Sequence, residues 1–75
     1  MLIKIQGDLV NLDNILYIDY AVNYNMTGKN IYYLRFNINE EKSLRYGTYN
    51  DVYEVKSLID KIGEAVKHKV RYLEL

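Results

Sequence analysis

Cysteine is missing from this 75-residue chain, and with it go two ways of holding a small fold together. There is no disulfide staple and no thiolate set for zinc. Long apolar runs are missing too. None approaches the roughly 20 residues of a membrane helix, and nothing at the N-terminus resembles a signal peptide. The expected setting is the cytoplasm, with no membrane partner. Net charge is also absent, because ten basic side chains balance ten acidic ones. A surface built mainly to hold phosphates would carry an excess of cations, so nucleic acid ranks low among partners. Proline is absent as well, whereas tyrosine occurs nine times. At this length the chain is one domain, near the lower limit at which a core alone suffices.

Candidates for chemistry are few. His68, the single histidine, lies between Lys67 and Lys69 at the end of a helical pattern and reads as a solvated cap residue. Glu40 and Glu41 form turn polarity. Asp60 and Glu64, four apart on a helix, read as a solvated face, since two exposed carboxylates make a poor cation site. Gly7 and Gly28 are isolated turn glycines with no phosphate-cradling loop around them. Ser43 and Ser57 have no histidine near them in sequence. No catalytic residue, metal site or cofactor is expected, and a domain this thin leaves little room for a deep pocket within a single copy.

The fold organises around residues 15–38. Leu16, Ile18, Tyr20, Val22 and Tyr24 alternate with Tyr17, Asp19, Ala21 and Asn23. Further on, Tyr32, Leu34, Phe36 and Ile38 alternate with Tyr33, Arg35 and Asn37. A period of two with β-branched and aromatic residues marks strands buried on one face. Joining the apolar rows sets Leu16 opposite Ile38, Ile18 opposite Phe36 and Tyr20 opposite Leu34. That register leaves Met26, Thr27 and Gly28 as the loop, and it pairs Asp19 with Arg35 on the other face.

The remaining elements follow the same logic. A smaller hairpin is expected near 2–12, turning at Gly7-Asp8, with Ile3, Ile5, Val10 and Leu12 on one face. Asp13-Asn14 breaks the pattern. A fifth strand over 43–49 would set Leu44 and Tyr46 inward beside Ile38 and Phe36, with Arg45 and Tyr49 outward. Asn50 is a helix N-cap candidate. Val52, Val55, Ile59, Ile62 and Val66 then recur at three- and four-residue steps, widened by Leu58 and Ala65. Gly63 sits at the edge of that stripe, where glycine costs roughly 1 kcal/mol relative to alanine. It suggests either close approach of a backbone or partner, or a tolerated defect. Residues 69–75 fit both helix and strand, and could dock at home or on another copy.

The predicted architecture is α+β: an antiparallel meander of about five strands (2–6, 9–12, 15–24, 30–38, 43–49) with one C-terminal amphipathic helix (51–68) on one face. The uncovered face would carry Tyr17, Asp19, Tyr33, Arg35, Arg45 and Tyr49. Tyrosine and arginine are the types in which interfaces concentrate their energy. The expected function is therefore non-catalytic protein binding, with self-association into a homodimer or larger. One alternative is a small anionic ligand or nucleotide held between copies by Tyr33, Arg35, Arg45 and Tyr49. Another is stacking of unpaired bases on the sheet. An ordinary solvated sheet with cross-strand aromatic pairs is the plainest reading.

Asn, Ile, Lys and Tyr supply 32 of the 75 residues, and all four have A/T-rich codons. The stretch Leu9-Val10-Asn11-Leu12-Asp13-Asn14-Ile15, followed by two strands and a closing helix, resembles small orphan proteins of low-GC Gram-positive bacteria and their phages. That resemblance implies stoichiometric inhibition of a host protein, such as a defence system, and it carries no functional residues with it.

Overall fold

The computed structural model describes residues 1–25 and 27–75. It is a small α+β domain. Strands β1 (Leu2–Ile5), β2 (Asp8–Asn11), β3 (Tyr17–Tyr24), β4 (Asn30–Asn37) and β5 (Ser43–Tyr49) precede helix α1 (Val52–Lys67) and a short strand β6 (Tyr72–Glu74). The long hairpin has the register its alternation implies, with Ile18 opposite Phe36, Asp19 opposite Arg35 and Tyr20 opposite Leu34. Asn25 organises the turn: its Oδ1 accepts from the Thr27 N–H (3.1 Å), the Thr27 hydroxyl (2.7 Å) and the Lys29 N–H (3.2 Å). Gly28 has φ 78°, as a loop glycine should. Met26, the first residue of the expected loop, lies outside the described residues.

The strands divide into two three-stranded sheets rather than one meander: β3-β4-β5, and β2-β1-β6. The cause is local. Asn11 accepts from the Asp13 N–H (3.0 Å) and opens a 3-10 turn over Leu12–Asn14, which redirects the chain before β3. The tail supplies the sixth strand, which lies parallel to β1. Leu2 N–H donates to Arg71 O and Leu75 N–H to Lys4 O, both at 2.8 Å. The ambiguous end of the chain thus docks at home.

Three turns or caps differ from the expected ones. The β1–β2 turn is Gln6-Gly7 rather than Gly7-Asp8, with φ 50° and 85°. Positive φ at both central residues is the twist that suits a two-residue hairpin. It tightens the register by two positions (Ile3 opposite Val10, Ile5 opposite Asp8) and leaves every side chain on its expected face. The helix is capped by Asp51, not Asn50. The Asp51 carboxylate accepts from the Tyr53 N–H at 2.9 Å, and its negative charge suits the helix start. On β5, Leu44 lies opposite Phe36 and Tyr46 opposite Leu34, one pair further along than expected, because the Asn39 side chain holds a tight turn onto Glu41 and Lys42.

Helix α1 packs on the β3-β4-β5 sheet, and the small sheet adds Ile3, Ile5 and Val10 to the same core. Phe36, Ile3, Ile5, Leu34 and Val55 are fully buried. Each such side chain is worth about 1.5–3 kcal/mol of burial. The two sheets are also joined by chemistry. The Tyr46 hydroxyl donates to Asp8 Oδ2 at 3.0 Å, while its ring meets Phe36 edge-on at 5.7 Å. Burial raises the Tyr46 hydroxyl's pKa, and the Asp8 carboxylate adds to the shift.

Candidate functional site

Two surfaces compete. The first is the face of β3-β4-β5 away from the helix. Arg35 and Asp19 meet there as a bidentate pair, Nε to Oδ1 at 2.7 Å and Nη2 to Oδ2 at 2.6 Å. Asn37, itself buried, donates to Asp19 Oδ1 at 3.0 Å and to Tyr17 O at 3.3 Å. The Arg35 hydrogen bond holds the Asp19 carboxyl below its usual range, against the opposing effect of burial, and the same bond raises Arg35. The Nε/Nη2 edge of the guanidinium is thus filled by its own sheet, and that edge has no room for a second bidentate partner.

Around this closed cluster, Tyr17 is half-exposed, Tyr33 lies partly buried across from Ala21, and Arg45 is exposed opposite Arg35. Tyr49 is not on this face. Gly47 takes φ 86°, and the register jumps from Leu34–Tyr46 to Tyr32–Tyr49, so β5 gains a residue over β4. Such a bulge turns the following side chain to the other side. The Tyr49 ring lies where a Cβ on residue 47 would be, and packs on the helix-side core. Burial raises its pKa, with Glu54 of α1 contributing. Within one chain, Tyr49 therefore does not share a face with Tyr33, Arg35 and Arg45.

The second surface was not expected. A groove of about 700 Å³ runs between the second half of α1 and the segment from Leu12 to Ile18. Ile59 and Ile62 form its floor. Leu16, Val66 and Val70 line it while remaining 61%, 53% and 39% exposed. These side chains belong to the apolar pattern of the sequence, and the fold leaves them uncovered. Gly63 faces the groove, where an added Cβ would meet nothing within 4 Å. Lys69 and Arg71 stand at the end near the helix C-terminus, and Asp13 lies 3.7 Å from the Met1 amine. The sequence held one clue, a glycine at the border of a helical stripe. The groove itself also needs Met1, Leu12 and Asp13 from elsewhere in the chain, which only the fold brings there.

No three His, Cys, Asp or Glu side chains gather as a metal set among the described residues. His68 Nε2 lies 3.4 Å from Glu64 one helical turn away, and both are exposed. No helix among the described residues is long and apolar enough to cross a membrane.

No protein-family model matches the chain. Searches of curated proteins and of solved structures likewise find no match. The class the fold defines is the small α+β domain.

Proposed function

We propose that this chain is a non-catalytic protein-binding domain, and that it binds through the apolar groove beside Gly63. The observation that carries the reading is the exposure of Leu16, Val66 and Val70 side by side around a concave apolar floor. Exposed aliphatic side chains grouped around a groove mark interaction sites more often than scattered ones do. Stoichiometric inhibition of a host protein, the role implied by the phage resemblance, is binding of this kind.

A second reading keeps the uncovered sheet face as the contact surface, including contact with another copy. Tyr17 and Arg45 favour it, because both are exposed beside a rigid ion pair and Arg45 makes no salt bridge of its own among the described residues. A photo-crosslinking residue at Val66 or at Tyr33, expressed in the native host, separates the two. A discrete adduct from Val66 that disappears in the Gly63→Leu background supports the groove. An adduct from Tyr33 alone moves the function to the sheet face.

A further inference from the structure

We propose that the groove receives an acidic amphipathic helix of a partner protein, and that Gly63 and Lys69 are shaped for that occupant at the expense of stability. The inference rests on the groove reading above. At both positions the backbone favours the other kind of residue. Gly63 lies inside α1, where alanine is the better helix former, and packing leaves open room for its Cβ. Lys69 takes φ 57° immediately after the helix. Its N–H donates to Val66 O at 3.1 Å, and the Val70 N–H donates to Ala65 O at 2.9 Å. This is the Schellman ending, whose left-handed residue is usually glycine because a Cβ is strained there. The chain therefore has glycine where a side chain fits and a side chain where glycine fits. Both residues line the same groove. Departures from local preference are expected where a site requires them.

Shape and charge select the occupant. The groove is open along one side, so a small ligand would leave much of its surface in water. A docked helix needs only one apolar stripe covered. Ile59 to Val66 spans about 10 Å of helix rise, the length of two turns. At the end, Lys69 and Arg71 have no carboxylate within 4 Å among the described residues. Acidic residues on the incoming helix complement that pair. A second copy is a poor occupant. Among the described residues the helix it could offer is α1, which already buries Val55, Ile62 and Ala65 of its stripe in its own core.

Two helical peptides of about sixteen residues serve as probes, each with leucine at i, i+3, i+4 and i+7. One carries glutamate on its other face and the second carries lysine. Fluorescence anisotropy should show the acidic peptide binding about tenfold or more tighter than the basic one. Gly63→Leu, which fills the groove, should weaken it by a similar factor, and Lys69→Glu/Arg71→Glu should reverse the preference. Gly63→Ala and Lys69→Gly should each raise Tm by about 4 °C, and circular dichroism confirms that every variant folds. A fall in Tm for either overturns the claim that these residues oppose local stability. Equal binding of both peptides, lost in Gly63→Leu, leaves the groove reading standing and overturns the acidic helix. Binding by neither overturns both. A dimer in sedimentation velocity that Gly63→Leu dissolves makes the occupant a second copy and overturns the inference.

Discussion

The two sides of the β3-β4-β5 sheet differ in how far their own side chains satisfy one another. On the side away from α1, Asp19, Arg35 and Asn37 close a hydrogen-bonded cluster, and Ala21 lies buried beside Tyr33. On the helix side, Phe36 and Leu34 are sealed, yet Leu16, Val66 and Val70 remain in water only a few residues away. Polar character is a poor guide to availability. The side rich in arginine and tyrosine is largely occupied with itself, whereas the apolar side retains unfilled space.

That contrast can be broken experimentally, beginning with the largest effect. Phe36→Ala should cost about 3–5 kcal/mol, a large part of what a domain of this size has. Urea denaturation should then show both sides lost in a single transition. Two separate transitions would mean that the sheet face and the groove do not share one core. Next, Asp19→Ala should destabilise by about 1–2 kcal/mol, because it leaves Arg35 partly buried without its acceptor. Leu16→Ser should stay within about 0.5 kcal/mol, since that side chain is mostly in solvent already. Similar losses at the two positions would show that the groove wall is structural.

The smallest effect concerns acid. Arg35 lowers the pKa of Asp19 in the folded chain, so the native state takes up that proton less readily than the unfolded one. The resulting stability is complete above the ordinary aspartate pKa of about 3.9 and is lost as pH falls through the lower folded value. Wild type and Asp19→Asn should therefore diverge in Tm above pH 4 and converge below it. A constant difference down to pH 2 would mean that the pair is held by shape and not by charge.

Much of this was legible in the residues. The alternation of Ile18, Tyr20, Leu34 and Phe36 admits one register, and that register placed Asp19 against Arg35 without further information. The helix could be read from Val52, Val55, Ile59 and Ile62, although its cap fell one residue later, on Asp51. Tyr49 was misread because a bulge at Gly47 interrupts the count of two, and glycine alone does not say where a strand will gain a residue. The tail's strand was one of two readings left open, because residues 69–75 fit helix and strand alike, and only the presence of β1 as a partner decides their state.

By itself, the order of residues determined which side chains share a strand face or a helix stripe, because those relations are set by bond geometry within a few neighbouring positions. It likewise determined that no disulfide holds the fold and that cationic and anionic side chains balance. Tertiary structure alone decided that the strands part into two sheets, that the last residues close one of them, and that part of the apolar stripe stays uncovered beside Gly63. Those outcomes depend on how far one element reaches over another, and elements distant along the chain meet only when it folds.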